Sequence, residues 1–133
     1  MILKLFFALN ILTAFQSNFS QDIPSQTPNP RILSISTDYS SNGNWIQIPK
    51  ATKEITFKIK AEHTETVLFW LIPTGTQKWT ERKLIGYDIK ENERDDNFSF
   101  TWNIDKPYLQ DHIHIQAIGE GNVTNDIINL SMN

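Results

Sequence analysis

The stretch from Thr66 to Thr76, TVLFWLIPTGT, sets the tightest constraint on what this chain can become. Its apolar run is unbroken and then stopped by Pro73 and Gly75. A run that short, rich in branched and aromatic residues and closed by turn formers, reads as a strand that is apolar on both faces. Such a strand is stable only with something packed on each side. The rest of the chain is therefore expected to cover it.

The flanking segments supply the cover. Glu54 to Ala61 places Ile55, Phe57, Ile59 and Ala61 on one face and Glu54, Thr56, Lys58 and Lys60 on the other, the alternation of a strand with one wet side. Four residues, EHTE, then lead into the central run, a length suited to an antiparallel hairpin. Arg31 to Thr37 (RILSIST) sets Leu33, Ile35 and Thr37 against Ser34 and Ser36. An Asn-Gly pair at Asn42 and Gly43 predicts a tight turn before a short strand, Trp45 to Ile48, stopped by Pro49. Arg82 to Asp88 reads as an edge strand with a glycine inside it. Phe98, Phe100 and Trp102 alternate with Ser99 and Thr101, and Ile113, Ile115 and Ala117 with His112, His114 and Gln116. Asp126 to Leu130 closes the chain. About seven or eight short strands with turns between them and no helical period predict an all-β antiparallel sandwich.

Size and composition bound the function. A chain of 133 residues, 39% hydrophobic and 20% charged, has room for one domain. A net charge of −3 and a pI near 5.5 leave no basic stripe for nucleic acid. No basic amphipathic helix suggests a membrane-surface role. The absence of cysteine excludes disulfides and thiolate chemistry, and no cofactor is expected. The apolar block Leu5 to Phe15 behind Lys4 has the length of a secretory h-region and falls short of the roughly 20 residues that span a bilayer. Residues 1–20 are accordingly expected to be a signal peptide, 21–30 a Pro-rich linker and 31–133 the sandwich. The product would be secreted, periplasmic or held at the cell surface, with no membrane insertion after leader removal.

The pattern resembles a bacterial immunoglobulin-like domain, in which a tryptophan on the third strand packs between inward residues of the second and sixth. Trp70 stands 11 residues after Ile59 and 45 before Ile115, and Leu109, Asp111 and Ile113 are similar to the corner that leads into the sixth strand. The tyrosine of that corner is absent. The resemblance implies a binding, adhesive or spacer module without catalytic residues.

If Trp70 points inward with Leu68 and Ile72, a period of two puts Val67, Phe69 and Leu71 on the outer face of the same sheet. Three such side chains would gain about 2 kcal/mol each on full burial. Cover is expected from the linker, from the Thr76 to Arg82 loop, or from a partner or second copy. Trp79 with Lys78, Arg82 and Lys83 forms a small basic and aromatic cluster, and Trp45 lies beside the Asn-Gly turn. Exposed aromatics of this kind stack on sugars or anchor protein interfaces.

His112 and His114 share a face, as a strand-borne metal pair requires, with His63 the remaining histidine. The charged segment Lys90 to Asp96 lacks the spacing of a calcium loop. No nucleophile elbow, zinc-hydrolase helix or phosphate loop occurs. The expected function is a non-catalytic binding or adhesion module for protein or carbohydrate at the cell envelope. The alternatives are a small secreted inhibitor acting through the Trp79 loop, and a metal-binding protein using His112 and His114.

Overall fold

The computed structural model describes residues 26–75 and 78–133. The expected leader and the first half of the linker lie outside the described residues. The strands are β1 (Arg31–Thr37), β2 (Ser41–Asn42), β3 (Trp45–Ile48), β4 (Glu54–Glu62), β5 (Thr66–Ile72), β6 (Lys83–Ile89), β7 (Asn97–Asn103), β8 (Gln110–Ile118) and β9 (Val123–Met132), with one 3₁₀ turn at Trp79–Glu81. They form an all-β sandwich of two sheets, ordered β1-β4-β7 and β2-β3-β9-β8-β5-β6. Every pair is antiparallel except β3 on β9, which run parallel. Among the described residues no helix is long and apolar enough to cross a membrane.

The alternating segments face as their patterns require. Ile55, Phe57, Ile59 and Ala61 on β4 are buried against Ile113, Ile115 and Ala117 on β8, with Phe98 and Trp102 from β7. At the centre Phe57, Phe69 and Phe100 form a three-ring cluster, the Phe69 centroid 5.7 Å from that of Phe57 and 5.2 Å from that of Phe100, with Phe57 and Phe100 6.5 Å apart. Gly86 on β6 lets that cluster close, because a Cβ there would sit 2.2 Å from the Phe100 ring. Gly43 adopts the positive φ expected of the Asn-Gly turn.

The facing of β5 is the reverse of the expectation. Val67, Phe69 and Leu71 are the buried set, while Leu68, Trp70 and Ile72 lie half-buried on the outer face. The ladder with β8 fixes this: Val67 pairs Ala117, Phe69 pairs Ile115 and Leu71 pairs Ile113, and residues directly opposite in a ladder share a face. The other facing would put Trp70 and Leu68 in the core beside His114 and Gln116, their own ladder partners. Trp70 is therefore not the core tryptophan. Val67, Phe69 and Leu71 are correspondingly not surface residues.

Two further details depart from the pattern. The EHTE connection is not a hairpin; it carries the chain from the smaller sheet to the larger one. His63 takes φ 53° and the buried Thr64 hydroxyl donates to the Glu62 carbonyl, which turns the chain across the sandwich. In β1 a bulge between Ile32 and Ser34 lets Ile32 and Ile35 both reach the core and turns Leu33 outward.

Candidate functional site

The outer face of the six-stranded sheet is built from alternate residues of its strands. Trp70 lies across from His114 on one side and Leu84 on the other, and His112 lies between Ile72 and Asn129. Ile127 pairs His114, and Trp45 pairs Asn129 through the parallel β3 ladder. Nothing in a period-two pattern covers such a face. The 3₁₀ turn just before β6 does.

Trp79 and Arg82 make that cover. The Trp79 ring centroid lies 4.4 Å from that of His114. The Arg82 guanidinium lies 4.1 Å from the Trp70 ring centroid and 4.9 Å from that of Trp79, so the cation stands against two indoles. Trp70 donates its indole N–H to Gln116 Oε1 at 3.2 Å. His114 is consequently fully buried although it points away from the core.

The hydrogen bonds fix both imidazole tautomers. Arg82 can only donate, so His114 Nδ1 accepts from its Nη1 at 3.3 Å, and His114 Nε2–H donates to Asn125 Oδ1 at 2.9 Å. Burial holds the His114 pKa below its ordinary value of 6.5; the Arg82 charge lowers it further, and the Asn125 hydrogen bond opposes both. Asn129 donates its amide to the Asn44 carbonyl at 2.9 Å, which turns its oxygen toward His112, so Nδ1–H of His112 donates across 2.5 Å. In the neutral ring His112 Nε2 is then the acceptor nitrogen. The Trp45 ring stands 5.7 Å from His112.

Between the folded-over loop and β9 lies an open pocket of about 370 Å³. Ile72, Ile127 and Trp79 form apolar walls, Lys78 and Arg82 bring positive charge, and His112 and Asn129 complete the lining. No carboxylate among the described residues lines it, and neither cation is in a salt bridge there. Among the described residues no buried side-chain nitrogen or oxygen lacks a partner, and His114 is the one side-chain acceptor found for the Arg82 guanidinium.

Of the residues singled out from the sequence, Lys78, Trp79 and Arg82 come together at this pocket, and Trp45 flanks it through His112. Phe69, Leu71 and Val67 do not; they are in the core. His112 and His114 share the outer face as expected, but each is engaged by an asparagine side chain, and His63 is at the far end of β4. No group of three metal-ligating side chains occurs among the described residues. Pattern reading missed Trp70 and Ile72, which follow once β5 is turned over, and Ile127 and Asn129, which the β8–β9 ladder places opposite His114 and His112.

No family model matches the chain, and no curated protein matches it. Among solved structures, the chain is similar to one from the work described as "Structural basis of T cell specificity and activation by the bacterial superantigen toxic shock syndrome toxin-1", with 9% identity and a TM-score of 0.46 over 75% of this chain and 98% of that one. At that score the likeness carries no argument.

Proposed function

We propose that the protein is an exported, non-catalytic binding module of immunoglobulin-like type, and that its contact surface is the outer face of the six-stranded sheet around Trp79 and Arg82. The strand order supports the immunoglobulin-like type. With β4 and β7 as B and E, and β9, β8, β5 and β6 as G, F, C and C′, the two sheets follow the immunoglobulin arrangement. Phe69, stacked on Phe57 and opposite Ile115, takes the place expected of Trp70.

One observation carries the second part: a guanidinium held against two tryptophans, with no acidic partner, on the rim of an apolar-walled pocket. A surface kept only for solubility has no need of such an arrangement. Arginine and tryptophan are the residues that most often dominate interface energies, and their stacking fixes the guanidinium before any partner arrives. The partner class is protein or carbohydrate at the cell envelope, and the chain does no chemistry on it.

The test is retention of the purified domain on immobilised envelope material and on a glycan array. Wild type is expected to be retained and a Trp79→Ala/Arg82→Gln double variant to be lost. A Lys58→Glu/Lys60→Glu variant on the opposite sheet should behave as wild type. Retention that follows Lys58 and Lys60 instead would overturn the assignment of the surface.

A further inference from the structure

Resting on that reading of the surface, we propose that the pocket beside Trp79 takes the free carboxyl terminus of a peptide whose last residue is apolar. Charge comes first. Lys78 and Arg82 both line the pocket, no described carboxylate does, and Arg82 spends one of its five N–H groups on His114. Its planar fork therefore keeps donors for a carboxylate, the anion whose geometry it matches. The indoles of Trp70 and Trp79 hold the fork in place, so little side-chain freedom is lost on binding.

The walls decide what carries the carboxylate. Ile72, Ile127 and the Trp79 indole offer apolar contact of a size suited to one branched or aromatic side chain. Asn129 gives one amide N–H to Asn44 and one oxygen lone pair to His112, which leaves it a single N–H and a single lone pair for a ligand. A terminal peptide presents one N–H beside its carboxylate, a demand of that size. An acidic sugar would instead set several hydroxyls against the apolar Ile72 and Ile127 side chains.

The experiment is an NMR titration of the ¹⁵N-labelled domain with acetyl-Gly-Gly-Leu as the free acid, with its C-terminal amide, and with glucuronate. The Trp79 indole resonance is identified from a Trp79→Phe variant. The free acid is expected to shift that resonance saturably, and the amide to bind at least tenfold more weakly. Arg82→Gln, which removes the guanidinium fork, should weaken the acid by about tenfold, or about 1.4 kcal/mol, and change the binding of the amide far less. Lys78 is exposed, so Lys78→Gln cannot disturb folding, and it should cost about threefold, the scale of a solvent-exposed charge contact.

Equal binding of acid and amide, tighter binding of glucuronate, or no shift with the free acid would each overturn the proposal. Failure here with envelope retention still dependent on Trp79 removes the carboxylate alone. Loss of that dependence removes the reading of the surface as well.

Discussion

Truncating the two aromatic neighbours on β5 separates the buried face from the covered one. Phe69 has no exposed surface, stacks on Phe57 and Phe100, and sits on a strand paired on both sides, with β6 and β8. A backbone so pinned cannot collapse into the space left by Phe69→Ala, so the loss should lie in the upper part of the about 3 to 5 kcal/mol range for such truncations. Trp70 is half-buried on the outer face, against Arg82 and Gln116. Trp70→Ala forfeits about 0.5 to 1 kcal/mol of cation–π attraction, about 1 kcal/mol from one hydrogen bond and part of an apolar contact, for a total of about 2 kcal/mol. Urea unfolding followed by circular dichroism reads both. With a slope of about 1 to 3 kcal/mol/M, Phe69→Ala lowers the midpoint by more than about 1 M and Trp70→Ala by roughly half as much. If Trp70→Ala were the more damaging substitution, the facing of β5 described above would be wrong.

His114 gives a pH signature. Its folded pKa lies below 6.5, so as the pH falls through 6.5 the unfolded chain takes up a proton that the folded chain does not, and stability drops. The urea midpoint of wild type should fall between pH 7.5 and 5.5 more steeply than that of His114→Gln; parallel slopes would contradict the burial of the ring. Gly86→Ala should cost about 1 to 3 kcal/mol or more by overpacking, since its Cβ meets the Phe100 ring at 2.2 Å, and thermal unfolding should recover most of that loss in Gly86→Ala/Phe100→Leu. Asp111 is buried, ion-paired with Lys106, and accepts the Thr74 N–H at 3.0 Å. Asp111→Ala should cost about 2 kcal/mol and raise hydrogen exchange at Thr74; unchanged exchange would show that the carboxylate does not hold the end of β5.

The strands that alternate cleanly, β4, β7 and β8, were legible because one side of each is polar and a period of two then leaves a single facing. β5 was not, because Val67 to Ile72 is apolar at every position and its facing is set by pairing with β8 rather than by its own residues. Ile113, Ile115 and Ala117 of β8 are inward on their own pattern, but only the register of the ladder carries that facing over to Leu71, Phe69 and Val67. The parallel pairing of β3 with β9 and the sheet change at His63 are tertiary choices that no local pattern carries. The cluster of Lys78, Trp79 and Arg82 could be seen because aromatic and basic residues stand out in a polar loop. What it rests on could not, since an all-apolar β5 does not say which face Trp70 takes, and His114 reads as an exposed position until Trp79 is laid over it.

The central claim is that binding uses the outer face of the six-stranded sheet. Cross-saturation NMR of the labelled domain, bound to whatever envelope component retains it, measures this residue by residue. Intensity loss is expected at Trp70, Trp79, His112 and Ile127, with the other sheet unaffected. Loss centred on Ser34, Lys58 and Lys60 of the smaller sheet would contradict it.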